Sequence, residues 1–142
     1  MESEIITYEK YTHDTPALKK MLADASHDQF LGDIVYARKT DQMILIMDGS
    51  ELIGFAMPRL ESGFYRVGPI YVDPTQRGKG VATTFIKSFF ASRNGRAYID
   101  PANTPSRKSF KAAGFIQTGK VYRKGDEQYL QYEKRVLKSI AW

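Results

Sequence analysis

Apolar positions along the chain recur with two different periods, and each period predicts a different kind of element. Ile5 to Tyr8 predicts a short strand. Thr15-Pro16 reads as an N-cap followed by proline at the first helical position, and Leu18, Met21, Leu22 and Ala25 then recur at helical spacing. Gln29 to Ala37 carries Phe30, Leu31, Ile34 and Val35 on one side and predicts a second, shorter helix despite Gly32. Met43 to Met47 and Leu52 to Met57 are apolar runs around Asp48-Gly49, a dipeptide suited to a tight hairpin turn.

Tyr65 to Val72 predicts a third long strand, interrupted at Gly68-Pro69, where proline removes a ladder donor. Gly80 to Arg93 predicts the strongest helix, with Val81, Ala82, Phe85, Ile86, Phe89 and Phe90 on one face. Ala97 to Ile99 is a short strand. Thr104-Pro105 supplies another cap and first-turn proline for a helix that carries Phe110 and Ala113 and stops at Gly114. Phe115 to Arg123 and Gln128 to Val136 are strands joined by Lys124-Gly125-Asp126. The order β, α, α, β, β, β, α, β, α, β, β predicts an α/β (α+β) domain built on a mixed sheet with helices on both faces.

At 142 residues, without repeat or linker, the chain is expected to form one domain over residues 1–142. A hydrophobic fraction of 42% excludes a disordered tail, and no apolar run is long enough to cross a bilayer. Met1 to Lys10 lacks a secretory pattern, so a cytoplasmic location is expected. The sequence has no cysteine, which excludes disulfides, a thiolate nucleophile and thiolate-bound metal. His13 and His27 lie in polar, turn-rich surroundings, and no metal is expected. The net charge of +5 favours anionic partners, either nucleic acid or a phosphate-rich cofactor.

The stretch from Val72 to Ala82 combines a strand end, a loop with two glycines and a helix start. Gly78 can take positive φ, and Gly80 lets a ligand approach the backbone closely. The uncapped N–H groups of a helix first turn then suit a pyrophosphate, and Arg77 and Lys79 add charge there. A nucleoside triphosphate would call for G-x-x-x-x-G-K-[ST], which is absent. A dinucleotide would want G-x-G-x-x-G. Gly78-Lys79-Gly80-Val81-Ala82-Thr83 fits that pattern until Thr83, and Asp100 lies near the expected acidic position, but an antiparallel hairpin precedes the turn.

Arg77-Gly78-Lys79-Gly80-Val81-Ala82 resembles the R/Q-x-x-G-x-G/A signature of the GNAT superfamily of acyl-CoA-dependent N-acyltransferases. The preceding Ile70-Tyr71-Val72-Asp73-Pro74 resembles that family's fourth strand, and Asn103 with Phe110 and Gly114-Phe115 resembles its second segment. The resemblance implies a mostly antiparallel twisted sheet of about seven strands with a splay between strands four and five. It also implies acetyl-CoA as co-substrate. Ile70, Tyr71 and Val72 would pair with pantetheine, and Arg77, Gly78, Lys79, Gly80, Val81, Ala82 and Thr83 would cradle the pyrophosphate. Asn103 would hydrogen-bond the cofactor, and Phe110 would pack beside the thioester arm.

Two positions depart from the family pattern: Phe110 stands where many relatives carry a tyrosine acid, and Arg66 stands where a carboxylate base is usual. Tyr98 and Asp100, two apart on a strand and so on one face, are the substitutes, Asp100 as base and Tyr98 as acid. The alternative roles are a turn cap before Pro101 for Asp100 and sheet packing for Tyr98. The family's acceptor wall corresponds to Ser26 to Tyr36 and Arg123 to Gln128, which contain Asp28, Asp33, Tyr36, Asp126 and Glu127. The expected activity is acetylation of a primary amine of a small molecule or protein. The alternatives are acylation of a nucleic-acid-borne amine, such as aminoacyl-tRNA or modified DNA, and an acyl-CoA-binding module without turnover. No membrane partner is expected, and the assembly is expected to be a monomer or homodimer.

Overall fold

The computed structural model describes residues 2–6, 16–28 and 43–136. The expected helix over Gln29 to Ala37 and the Thr15 cap lie outside them. The elements are β1 (Glu2–Ile6), α1 (Pro16–Ser26), β2 (Met43–Asp48), β3 (Glu51–Ala56), β4 (Arg59–Glu61), β5 (Phe64–Arg66), β6 (Ile70–Val72), a 3-10 turn (Pro74–Gln76), α2 (Val81–Phe89), β7 (Gly95–Ile99), α3 (Thr104–Ala112), β8 (Ile116–Lys124) and β9 (Glu127–Lys134). They make a mixed α/β architecture with mostly antiparallel strands in open sheets. The chain divides into two compact units, Met1–Arg59 with Val67–Ala82, and Leu60–Arg66 with Thr83–Trp142.

In the first unit the strand order is β1-β2-β3-β6, antiparallel throughout. The helical spacing of α1 buries Leu18, Met21, Leu22 and Ala25 against Met43, Leu45, Phe55, Met57 and Tyr71. Ile44 and Ile46 are buried as well, so β2 reads as an unbroken apolar run rather than an alternation. The β2–β3 hairpin turns one residue later than Asp48-Gly49 suggested: Asp48 pairs with Glu51, and Gly49 takes φ 59° at the first turn position. A bulge follows, where Ile46 faces Gly54 and Met47 faces Leu52.

The single strand expected over Tyr65 to Val72 is two strands, separated by Val67-Gly68-Pro69. β6 pairs with β3 in the first unit, whereas β5 pairs in parallel with β7 in the second. Pro69 lacks an N–H, and its carbonyl takes the last ladder bond, from Met57 at 3.0 Å. β4 was not foreseen: three residues, Arg-Leu-Glu, show no alternation. It is joined to β5 through Ser62 at φ 46° and Gly63 at φ 85°, the two positive φ values that a two-residue hairpin turn demands.

The second unit has the order β4-β5-β7-β9-β8. Gly95, Ala97 and Ile99 of β7 are buried, and Arg96, Tyr98 and Asp100 face the opposite side, half-buried. An aromatic chain forms the core, with Phe90 edge-on to Phe115 at 5.1 Å and Phe110 edge-on to Phe115 at 5.0 Å. α2 ends at Phe89 rather than at Arg93. Phe90 N–H makes the last helical bond, to Ile86 O at 3.0 Å, its ring meets Phe115, and the Arg93 guanidinium donates to the Phe89 carbonyl at 3.0 Å.

α3 ends in a Schellman motif. Phe115 N–H donates to Phe110 O and Gly114 N–H to Lys111 O, both at 3.0 Å, with Gly114 at φ 93°. The Phe110–Phe115 ring contact is the apolar clasp that goes with that motif. The cap at the other end corrects the sequence reading by one residue: Asn103, not Thr104, is the N-cap, and its Oδ1 accepts from Ser106 N–H at 3.3 Å.

Gly95 tests this core directly. A Cβ there would sit 2.6 Å from the Phe90 ring and 2.7 Å from Phe115. Gly95→Ala should therefore destabilise the protein by about 1–3 kcal/mol, the usual cost of overpacking, read as a lower midpoint in thermal or urea unfolding. An unchanged midpoint would mean that the aromatic chain yields freely.

Candidate active site

The expected phosphate-binding turn follows β6 directly and is positioned by a side-chain clamp at its entry. Asp73 Oδ1 accepts from Thr75 N–H at 2.9 Å and from Thr75 Oγ1 at 2.7 Å, which fixes the single 3-10 turn of Pro74–Gln76. These bonds, the hydroxyl's first, hold the Asp73 carboxyl below its ordinary value. The chain then runs through Gly78 at φ 80° and Gly80 at φ 74°, and a Cβ at either would meet nothing within 4 Å. Both backbones are therefore left-handed and open. Among the described residues, none accepts a hydrogen bond from the backbone N–H of Gly78, Lys79, Gly80, Val81 or Ala82. At the α2 N-terminus these donors, with the helix dipole behind them, make an anion cradle.

Arg77 does something the sequence did not suggest. Its Nε donates to Val72 O at 2.9 Å, its guanidinium lies 5.2 Å over the Tyr71 ring, and Asp28 approaches to 3.9 Å. It braces the turn against its own strand. Burial holds the Tyr71 phenol above its usual value, with Arg77 opposing. Lys79 is exposed, with its Nζ 3.3 Å from Gln76 Oε1.

β6 is the last strand of its sheet. Pro69 O accepts from Met57, Asp73 N–H donates to Ile53 O, and Tyr71 faces Phe55. By the antiparallel alternation, Ile70 and Val72 turn their N–H and C=O groups to the outer edge. Among the described residues only Arg77 uses one of them, the Val72 carbonyl. Among the described residues the Ile70 N–H and C=O and the Val72 N–H thus have no partner, and Tyr71 is 4% exposed and belongs to the core.

Within the second unit, Tyr98 and Asp100 share a face of β7 as their spacing required. Gln131, which is 6% exposed and directly opposite Tyr98 in register, donates from Nε2 to Tyr98 Oη at 3.4 Å; its Oε1 accepts from Thr118 Oγ1 at 2.7 Å. The Tyr98 oxygen therefore acts as an acceptor within the protein, which leaves its own proton free to be given elsewhere. Asp100 Oδ1 accepts from Ala102 N–H at 2.8 Å, the turn-capping role weighed beside the catalytic one, and Oδ2 has no partner among the described residues. Gln131 and Thr118 escaped the sequence reading because their part depends on the β7–β9 register.

Tyr122, opposite Tyr129, lies 5.2 Å from the Tyr98 ring. Tyr129 donates to Glu127, and this bond pushes its phenol up to about 12. Arg66 lies over the same rings. Asn103 spends its Oδ1 on the helix cap, and Phe110, 4% exposed, is packed against Phe115.

Comparison with known proteins bears on this geometry. The model of the acetyltransferase (GNAT) family matches residues 6–115. No curated protein matches the sequence. Among solved structures, a GNAT-family protein from Bacteroides thetaiotaomicron is 16% identical with a TM-score of 0.69, over 97% of this chain and 89% of that one. Aminoglycoside acetyltransferase AAC(6′)-Ib in complex with coenzyme A and kanamycin is 14% identical with a TM-score of 0.70, over 93% and 92%. The GNAT-family acetyltransferase from Bacillus anthracis is 16% identical with a TM-score of 0.63, over 94% and 93%. At these identities the likeness is one of fold.

The Asp73–Thr75 clamp predicts a pH dependence. The folded-state carboxyl titrates below its unfolded value, so the ionised form adds stability above the unfolded value, and that stability is lost as pH falls through the folded one. Thr75→Val should lower the melting temperature at neutral pH, and the gap to the native protein should close as pH drops below about 4. A gap that is constant with pH would show that the hydroxyl acts otherwise than on the charge.

Proposed function

The chain belongs to the GNAT acetyltransferase family, and on that premise we propose that it is an N-acetyltransferase working as one domain over residues 1–142. It moves an acetyl group from acetyl-CoA to a primary amine of a small molecule or protein by direct attack in a ternary complex. The observation that carries this reading is the run of backbone N–H groups from Gly78 to Ala82 that have no acceptor among the described residues, left open by two glycines at a helix start. A pyrophosphate needs several convergent donors and no intruding Cβ, and this turn offers both. Lys79 adds charge. Ile70 and Val72 present outward N–H and C=O groups of the kind the amides of a pantetheine arm can pair with. AAC(6′)-Ib, whose fold this chain shares, holds coenzyme A together with the amine kanamycin.

The chemistry asked of the protein is modest. The neutral amine attacks the thioester carbonyl carbon, a C–N bond forms and the C–S bond breaks. Asp100 takes the proton that the amine sheds, through its Oδ2 and directly or by way of one water. Tyr98, its oxygen held as acceptor by Gln131, gives its proton to the departing thiolate. The products are the acetamide and coenzyme A. Phe110 cannot donate a proton and contributes packing alone.

Two outcomes follow. Acetyl-CoA should raise the melting temperature, since a ligand at about 100 times its Kd adds about 2.7 kcal/mol. Gly80→Val, which forces a branched residue into φ 74° and fills the open cradle, should abolish most of that rise. A nicotinamide dinucleotide that raises the melting temperature where acetyl-CoA does not would contradict the reading. In turnover, Asp100→Asn and Tyr98→Phe should each cost about 10²–10⁴-fold in rate with the acetyl-CoA shift intact. Normal rates in both would remove the pair from the mechanism.

A further inference from the structure

Arg66 occupies the place where a base would be expected, and its surroundings suit a different task. It lies on β5, in parallel register with Arg96 of β7. Its guanidinium carbon is 4.8 Å from the Tyr98 ring centroid and 5.6 Å from that of Tyr122. Cation–π attraction to two rings holds the guanidinium in place and leaves its N–H groups as donors. Among the described residues the nearest carboxylate oxygen, on Glu61, stands at 4.0 Å, beyond hydrogen-bond reach. Among the described residues no oxygen accepts from the Arg66 nitrogens. A side chain 29% exposed thus presents a fixed planar cation with unused donors.

We propose that Arg66 anchors a carboxylate of the acceptor, so that the substrate is an amino-acid-type amine with its carboxylate on the Arg66 fork and its amine at Asp100; this rests on the acetyltransferase reading above. The two oxygens of a carboxylate match the two parallel donors of the fork, and the interaction is charge-assisted. Tyr98 couples the two functions, because its ring carries the anchor and its hydroxyl is the proposed acid. A phosphate would also fit a guanidinium. Glu61 beside Arg66, and Asp100 and Glu127 further along the same face, make a singly charged carboxylate the easier guest than a doubly charged phosphate.

The test uses the full chain and follows release of coenzyme A with a thiol reagent, which is free of background because the sequence holds no cysteine. The common L-amino acids are each compared with their amides, and O-phosphoethanolamine is included. An amide's amine deprotonates more readily, so intrinsic reactivity favours the amide and a preference for the acid must come from the protein. At least one amino acid should exceed its amide in kcat/KM by about tenfold or more, the size of a charge-assisted hydrogen bond. Arg66→Gln should erase that preference, and Arg66→Lys, which keeps charge without the planar fork, should retain part of it. The proposal is overturned if no amino acid outpaces its amide, if Arg66→Gln keeps the preference, or if O-phosphoethanolamine outpaces every carboxylate. The acetyl-CoA thermal shift in the same samples separates the two failures. A shift without preference removes only the anchor, whereas no shift removes the acetyltransferase reading with it.

Discussion

Five consecutive backbone N–H groups, from Gly78 to Ala82, have no acceptor among the described residues, and the surrounding structure is organised around leaving them so. Unpaired donors are tolerable only where water or a ligand can reach them, so the turn must be exposed and free of side chains on its concave side. The two glycines meet both demands through positive φ and open space. Asp73 and Thr75 lock the entry, Arg77 ties the middle back to Val72 and Tyr71, and α2 begins at the exit. The Arg77 brace matters because a cradle that had to be ordered on binding would lose affinity to that ordering.

The face of β7 carries a different kind of chemistry. In the proposed mechanism the turn holds the acyl carrier and performs no proton transfer; Phe110 is buried against Phe115, and the Arg66 guanidinium lies over the Tyr98 ring. Gln131 donates to the Tyr98 oxygen, while Asp100, two residues on and on the same face, accepts from Ala102 N–H. In the proposed mechanism proton handling falls to Tyr98 and Asp100, and the Arg66 position is left for the acceptor.

Much of this was legible in the sequence where one local cause decides. The four apolar positions of α1 needed nothing but helical period, and the glycine pair announced an open turn. Proline at position 69 correctly marked the division of one expected strand. Where two residues could serve one role, the reading slipped: Asn103 and Thr104 both suit a cap, and only the distance from Asn103 to Ser106 N–H separates them. α2 was read too long because Phe89 and Phe90 continue its apolar face, yet Phe90 is claimed by Phe115. The Arg77 brace and the Gln131 bond to Tyr98 were out of reach, since each depends on partners brought together by tertiary packing and strand register.

The central claim is that the backbone N–H groups of residues 78–82 receive a pyrophosphate, and backbone amide NMR of the protein titrated with coenzyme A tests it most directly. The account predicts that the amide resonances of Gly78, Lys79, Gly80, Val81 and Ala82 shift together, with their hydrogen exchange slowed, as each N–H gains an acceptor. Saturation by coenzyme A with those five resonances unmoved would contradict it.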